Sequence, residues 1–353
     1  MKVLTIVGAR PQFIKAAPVS REVRKVAHEV LVHTGQHFDA NMSDVFFEEL
    51  GIPKPEYHLG IGGGSHGAMT GAMLARLEEV IQIEKPDWVM VYGDTNSTLA
   101  GGLAAAKLHV PVAHVEAGLR SFNRKMPEEI NRVLTDHLSE LLFAPTETAV
   151  GLLAAEGITH GVHQVGDVMF DALKLFLPSA LERKPWLDSL ELETSGYLLA
   201  TVHRAENTDN EARLRDIMQG LGCSEDRVVL PLHPRTRNRL EEFKIHVPAN
   251  VLIIEPAGYL EMLLLESQAK AVVTDSGGVQ KEACFLNVPC ITLREETEWM
   301  ETVTGGWNIL VGTDLARIRK ALVRPPRGVE PLQAFGDGHA SQRIVRMLME
   351  FTS

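Results

Sequence analysis

Cysteine is scarce in this sequence of 353 residues, which contains only Cys223, Cys284 and Cys290. No two of them form a C-x-x-C pair, and they do not alternate with histidines at zinc spacing. The cysteines therefore argue against a disulfide framework and against a structural zinc site, and a reducing cytoplasm is the expected compartment. No group of histidines and carboxylates has metal-ligand spacing either, so we expect no required metal and no cofactor.

Long apolar runs and an excess of basic residues are also absent. No stretch of 18 apolar residues occurs, and the apolar N-terminal run is too short for a signal peptide, so membrane insertion is not expected. Lys and Arg number 35 against 46 Asp and Glu, a net charge of −11. This balance argues against a nucleic-acid partner, and any anionic small substrate must be bound by a local cluster of cations.

Short apolar segments alternate with helical patterns along the whole chain, whose length suggests about two domains. Such alternation predicts an α/β fold with parallel sheets that helices cover on both faces. Predicted helices include 13–25, 97–107 and a final helix at 341–351. The predicted strands are 3–7, 29–33, 88–92, 110–115, 141–144, 162–165, 197–202, 227–230, 251–254, 271–274 and 288–292.

The alternation pauses at 176–195, a segment with Pro178, Pro185 and many charges, which we interpret as the connection between two domains. We therefore expect domains at 1–175 and 196–340. In each half one strand runs into an Asp with small residues and then a helix, at 93–97 and at 275–278. Ligands of open α/β sheets bind at the carboxyl ends of strands, so both segments are expected to face one cleft.

Two helix starts are candidate anion sites. Ser276, Gly277 and Gly278 follow a strand and precede a helix, so close backbone approach and free N–H groups suit a phosphate, and Glu282 is placed to bind ribose hydroxyls. The alternative is an ordinary glycine-assisted helix start. Near the N-terminus, Arg10 and Lys15 follow Gly8, and their alternative is a pair of solvated charges.

Carboxylates follow two neighbouring strands. Asp94 and Glu116 each end a predicted strand, and adjacent strand ends lie about 5 Å apart, a distance at which paired carboxylates divide acid and base roles. Glu128 and Glu129 begin a helix after Pro127. The alternatives are helix caps and ion-pair partners for the first two, and stabilisation of the helix dipole for the others.

Histidines end two strands of the second half. His203 precedes Arg204, and His233 precedes Pro234, so both are expected at the carboxyl edge of the second sheet, unless they are structural. His37, beside Gln36, and His66, in a glycine-rich loop, are weaker candidates.

Six motifs, in order over nearly the whole chain, resemble the non-hydrolysing UDP-N-acetylglucosamine 2-epimerases. The resemblance implies a glycosyltransferase-B-like fold of two Rossmann-like domains with a central cleft, and a C-terminal helix, 341–353, that crosses back to the first domain. The motifs are 8–15 (GARPQFIK), 93–95 (GDT), 114–120 (HVEAGLR), 127–132 (PEEINR), 201–204 (TVHR) and 274–278 (TDSGG).

The resemblance also implies an activity, which is reversible conversion of UDP-N-acetylglucosamine to UDP-N-acetylmannosamine. UDP would leave, giving 2-acetamidoglucal, and then add again. The resemblance implies Asp94, Glu116 and Glu128 as acids and bases, supported by Lys15 and His203. It implies a homodimer, and a UDP site made of Arg10, His203, Ser276, Gly277, Gly278 and Glu282.

Some residues depart from the common pattern of that family. Trp299 stands where many members have arginine, and Gln36 and His37 match the allosteric contacts of substrate-activated members only in part. The segments 64–67 and 121–126 resemble the branch that acts on UDP-2,3-diacetamido-2,3-dideoxy-glucuronic acid. Arg124 or Lys125 would then meet the extra carboxylate, with His233 a further sugar-side candidate. A UDP-sugar glycosyltransferase and a non-catalytic nucleotide-sugar sensor are the remaining alternatives.

Overall fold

The computed structural model describes residues 1–36, 47, 49–328 and 333–352. By its contacts the chain divides into two compact units, Met1–Leu175 with Gln333–Ser353 and Phe176–Leu332. Each unit contains one parallel sheet, and helices are described between most successive strands, which confirms the predicted α/β class. His37 lies outside the described residues.

The first unit has a seven-stranded sheet in the order β3-β2-β1-β4-β5-β6-β7. All five residues of β4 are buried, as expected for a parallel strand covered on both faces. Its strands are β1 (Lys2–Val7), β2 (His28–His33), β3 (Tyr57–His58), β4 (Trp88–Tyr92), β5 (Val112–Val115), β6 (Leu141–Ala144) and β7 (Val162–Gln164). Its helices are α1 (Arg10–Val23), α2 (His66–Glu84), α3 (Asn96–Lys107), α4 (Pro127–Leu138), α5 (Glu147–Ala155) and most of α6 (Val168–Leu181).

Small residues let α3 pack closely on this sheet. A Cβ on Gly101 would lie 2.7 Å from Ile6 Cδ1 and 3.1 Å from Val91 Cγ1, so a larger residue would force these side chains to move. Pro11 and Pro127 stand in the first turns of α1 and α4, where the missing N–H costs nothing. Because β1, β4 and β5 are neighbouring parallel strands, the helix starts that follow them lie at one edge of the first sheet.

The second unit has a six-stranded sheet in the order β10-β9-β8-β11-β12-β13. Its strands are β8 (Tyr197–Thr201), β9 (Arg227–Pro231), β10 (Val251–Ile254), β11 (Ala271–Thr274), β12 (Cys290–Thr292) and β13 (Asn308–Leu310). Its helices are α7 (Lys184–Ser189), α8 (Ala205–Thr208), α9 (Glu211–Gly222), α10 (Pro234–Glu242), α11 (Tyr259–Gln268), α12 (Gly277–Phe285), α13 (Met300–Thr304) and α14 (Leu315–Val323). One apolar cluster joins β8, β9 and β11 to α9 and α14.

One segment differs in structure from the sequence-based expectation. Residues 176–195 are largely helical, because α6 continues through Pro178 to Leu181 and α7 buries Leu187. The last helix, α15 (Ala340–Thr352), belongs to the first unit. Asp171 accepts hydrogen bonds from the N–H groups of Ala340 (3.1 Å) and Ser341 (2.7 Å), which caps α15. Of the helices that the structure describes, none is long and apolar enough to cross a bilayer.

Candidate active site

An ion pair between Lys15 and Glu116 lies at the carboxyl edge of the first sheet. Glu116 follows β5 directly, and Lys15 reaches it from α1. Both residues are buried, although each carries a formal charge. Buried charges are tolerated when they are paired, so the pair holds each side chain in one orientation.

Gly93, at the end of β4, is required by this ion pair. Its φ of +62° is in the left-handed region that favours glycine. A Cβ there would also lie 3.2 Å from both Glu116 Oε2 and Lys15 Nζ. The turn from β4 towards Asp94 therefore passes directly against the ion pair.

Glu116 itself has a left-handed backbone, with a φ of +72°. This conformation costs a residue with a side chain on the order of 1–2 kcal/mol. Two hydrogen bonds of 3.1 Å, from the N–H groups of Glu116 and Ala117 to the Phe143 carbonyl, hold the backbone there. Strain that the surroundings enforce is typical of functional positions.

Asp94 is held by α4. Arg132 forms an ion pair with the Asp94 carboxylate, and Asn131 Nδ2 donates to the Asp94 carbonyl at 2.9 Å. Arg132 is buried, whereas the Asp94 side chain is partly accessible. Sequence reasoning assigned no role to Asn131 or Arg132, although both lie in the segment 127–132. Both residues lie on the buried face of α4. Polar residues on the buried face of a helix were the sequence signal that could have identified them.

The two glutamates at the start of α4 differ in environment. Glu129 is buried and accepts three hydrogen bonds of 2.9 Å, from the N–H and Oγ of Ser121 and from the N–H of Phe122. It also lies 3.2 Å from Arg132 Nη1. Glu128 is exposed. Glu129 therefore organises the loop before α4, whereas the side chain of Glu128 is open to solvent.

His114, in the middle of β5, supports the turn at Gly93. Its Nε2 donates to the Gly93 carbonyl at 2.7 Å, and its Nδ1 lies 2.7 Å from Asp136 Oδ1. Asp136 also accepts from Arg120 Nη1 at 2.6 Å. Burial raises the pKa of Asp136, but the hydrogen bond from His114 and the charge of Arg120 outweigh it and hold the pKa below its usual value.

The turn before α1 is held by Gln12, which is buried. Its Oε1 accepts from the N–H groups of Gly8 (2.8 Å) and Ala9 (3.0 Å), and its Nε2 donates to the Tyr92 carbonyl at 2.9 Å. Arg10 follows this turn as the first residue of α1. The candidate cation Arg10 is thereby tied to the end of β4.

In the second unit the predicted anion site is the start of α12. Ser276 caps the helix, and its N–H donates to Thr274 Oγ1 at 2.9 Å. Gly277 and Gly278 form the first turn, where N–H groups have no intrahelical partner. Glu282 is buried farther along the same helix. The predicted UDP-binding residues of this segment thus share one helix start.

Trp299 packs against that helix start. Its Nε1 lies 3.3 Å from the position of a Cβ on Gly277, and its ring lies 3.8 Å below the ammonium of Lys281. Lys281 is only 1% exposed. A buried cation over an indole ring is a favourable cation–π contact, so Trp299 both holds Lys281 and narrows the space beside Gly277.

Further buried donors lie around the same helix. Arg294 pairs with Glu298 through two hydrogen bonds of 3.0 and 3.1 Å. Burial raises the pKa of Glu298, but Arg294, with Arg204, outweighs it and lowers the pKa to about 2. Among the described residues, Arg294 Nε and Gln280 Nε2 are buried without a hydrogen-bond partner. Donors left in this way suit a polar ligand.

The two predicted histidines of the second unit lie together. The rings of His203 and His233 are 6.1 Å apart. Asp275, which is fully buried, accepts from the N–H groups of His203 (3.1 Å) and Arg204 (3.0 Å) and so positions that turn. His233 Nδ1 accepts from the N–H of Arg235 at 3.2 Å and begins α10.

The predicted site residues of each unit are therefore brought to one edge of that unit's sheet. In the first unit, Arg124 and Lys125 are exposed in the loop between β5 and α4, and His66 Nδ1 lies 3.2 Å from Asn96 Nδ2. Gln36 Oε1 accepts from Ser97 N–H at 3.0 Å, so it caps α3. In the part of the chain that the structure describes, no three His, Cys, Asp or Glu residues form a metal-binding group.

Comparison with known proteins gives consistent results. A family model described as UDP-N-acetylglucosamine 2-epimerase matches residues 21–349. A UDP-N-acetylglucosamine 2-epimerase homolog of Methanococcus maripaludis is 55% identical over 99% of this chain and 99% of its own length. The UDP-2,3-diacetamido-2,3-dideoxy-D-glucuronate 2-epimerase of Pseudomonas aeruginosa is 52% identical, with 99% of both chains covered.

A solved structure is similar as well. The crystal structure of the Methanocaldococcus jannaschii UDP-GlcNAc 2-epimerase in complex with UDP-GlcNAc and UDP matches with a TM-score of 0.92 and 47% sequence identity. The match covers 99% of this chain and 100% of that chain.

Proposed function

The chain belongs to the UDP-N-acetylglucosamine 2-epimerase family, a family of isomerases, and from this premise we propose that it inverts C2 of a UDP-2-acetamido sugar. Membership confirms the predicted resemblance and the glycosyltransferase-B-like fold class. The observation that carries the proposal is the buried Lys15–Glu116 ion pair packed against Gly93, next to the Asp94–Arg132 pair.

The chemistry explains why several acids and bases are needed. The C2 hydrogen lies beside an amide nitrogen and is a very weak acid. A base therefore removes the proton while the C1–O bond breaks and its electron pair leaves with UDP, which gives 2-acetamidoglucal. UDP then adds to C1 as an acid returns a proton to the opposite face of C2. Asp94, Glu116 and Glu128 share these roles, and each such step contributes roughly 10²–10⁴-fold.

The leaving group needs its own stabilisation. In this proposal Ser276, Gly277 and Gly278 bind the diphosphate through N–H groups at the start of α12, and Arg10 and His203 add donors. One preorganised donor is worth on the order of 3–4 kcal/mol. Glu282 binds the ribose, and the buried donors Gln280 Nε2 and Arg294 Nε lie in the same unit.

Two substrates of one chemical class are candidates. UDP-N-acetylglucosamine is the first, because relatives at 47–55% identity carry that name. UDP-2,3-diacetamido-2,3-dideoxy-glucuronic acid is the second, because the relative named for it is 52% identical. Exposed Arg124 and Lys125, in the loop before α4, are available for its carboxylate. The scarcity of cysteine supports a cytoplasmic location, and the family resemblance supports a homodimer.

Incubation with each UDP-sugar alone in D₂O, followed by NMR, tests the reaction. The expected result is deuterium at C2 and appearance of the C2 epimer without any acceptor. Glu116→Gln is expected to lower the rate at least ~10²-fold while UDP affinity stays within about twofold. Glu78→Gln, an exposed carboxylate on α2, is the matched control. UDP binding without exchange at C2 would favour a sensor, and turnover only with an acceptor would favour a glycosyltransferase.

A further inference from the structure

Phe122 combines two unfavourable features. Its φ is +59°, in the left-handed region that residues with a Cβ rarely adopt. The residue is also 73% exposed, so its ring gains little from burial within the chain. Glycine would adopt this backbone without strain, and a polar residue would be better solvated. Folding therefore does not account for an aromatic side chain at this position.

Hydrogen bonds to Glu129 hold the backbone of Phe122 in place. Glu129 is buried and accepts from the N–H of Phe122 and from the N–H and Oγ of Ser121, each at 2.9 Å. A carboxylate that accepts several such bonds fixes the loop conformation more firmly than a neutral acceptor does. The exposed ring therefore projects from a rigid support.

This support is continuous with the candidate active site. The same Glu129 carboxylate lies 3.2 Å from Arg132 Nη1, and Arg132 forms the ion pair with Asp94. Only two side chains thus separate the backbone of Phe122 from Asp94. Along the chain, the loop that carries Phe122 joins Glu116, after β5, to Glu128, in the first turn of α4.

We propose that Phe122 contacts the sugar of the bound UDP-sugar, with its ring against apolar C–H groups of the pyranose or of the acetamido methyl. This inference rests on the proposed function. The face of an aromatic ring carries negative charge density that attracts C–H groups, and a ring over the sugar also excludes water from C2. Phe122 is thereby a residue that contacts substrate and discriminates UDP-sugar from UDP.

Three substitutions of Phe122 separate the ring from the backbone. Phe122→Gly removes the ring and the strain, Phe122→Ala removes the ring and keeps the strain, and Phe122→Leu keeps apolar bulk. His109→Gly is the matched control, because His109 is exposed in the same unit with a φ of +58°. Melting temperature, kcat, KM and calorimetric affinity for UDP-sugar and for UDP are measured on the full chain.

The expected result is that Phe122→Gly and Phe122→Ala lose affinity for UDP-sugar by the same factor, about tenfold, whereas UDP affinity stays unchanged. Phe122→Gly, like His109→Gly, melts no lower than the wild type. Phe122→Leu loses less. The inference is wrong if Phe122→Gly binds UDP-sugar as tightly as the wild type does. It is also wrong if the only change in the glycine variant is the loss of a contact between two copies of the chain.

The binding measurement separates this inference from the proposed function. A wild-type protein that binds UDP-sugar tenfold more tightly than the glycine variant, yet shows no exchange at C2, refutes the epimerase activity and supports the role of Phe122. A wild-type protein that binds UDP-sugar no more tightly than it binds UDP, with no difference among the variants, refutes the role of Phe122.

Discussion

Replacement of Gly93 by alanine tests whether the turn after β4 holds the Lys15–Glu116 ion pair. The backbone part of the cost follows from the φ of +62°, since a left-handed alanine costs about 1–2 kcal/mol relative to glycine. The contact part follows from the new Cβ, which lies 3.2 Å from both Glu116 Oε2 and Lys15 Nζ. These two atoms must move by a few tenths of an ångström.

Both the turnover and the stability of the Gly93→Ala variant are expected to fall. A misplacement of 1 Å in an active site costs about 10²-fold in rate, so a shift of a few tenths of an ångström is expected to lower kcat roughly tenfold. The free energy of unfolding is expected to fall by about 2 kcal/mol, since breaking a buried ion pair fully would cost ~3–5 kcal/mol. Denaturant unfolding and the NMR assay of C2 exchange measure the two quantities.

Gly157→Ala is the matched control. Gly157 has a φ of +82° and no atom within 4 Å of a built Cβ. It therefore bears the same backbone strain with no contact to a charged pair, and its kcat is expected to stay unchanged. Equal kcat values for Gly93→Ala and Gly157→Ala would refute the reasoning, because the ion pair would then tolerate the added methyl group.

Three further predictions concern other parts of the chain. Gly277→Ala places a Cβ 3.3 Å from Trp299 Nε1, so calorimetry is expected to show UDP affinity lowered at least about tenfold, and unchanged affinity would remove Gly277 from the phosphate site. Asp275→Asn weakens charge-assisted bonds to the turn that carries His203, and we expect a loss of about 1–3 kcal/mol in unfolding free energy together with weaker UDP binding; a stable variant that binds UDP normally would contradict this. Burial and the charge of His58 lower the pKa of His33 to about 4, so between pH 6.5 and 4 only the unfolded chain binds the proton and stability falls as the pH drops. Between pH 7 and 5 the wild type is therefore expected to lose about 2 kcal/mol of unfolding free energy that the His33→Phe variant keeps. Identical pH profiles of the two proteins in denaturant unfolding would show the assignment to be wrong.

Most strands were predictable because a buried parallel strand is a local signal. A run of four to six apolar residues between turn residues needs no knowledge of its neighbours, and β4, β10 and β11 match the predicted bounds residue for residue. The edge strands β3 and β13 were missed, since two or three residues carry no periodicity. The helical part of 176–195 was missed because Pro178 breaks the local pattern, whereas packing retains the helix around it.

The sequence by itself determined the α/β class, the family and the segments that carry the candidate chemistry, since these depend on residue order and local periodicity. Only the tertiary structure decided which side chains meet. Lys15 and Glu116 are far apart in the chain, as are Asp94 and Arg132, and Gly277 and Trp299. Such pairs form because parallel strands align their carboxyl ends at one edge, and the pairing of charges across that edge depends on packing that no local pattern encodes.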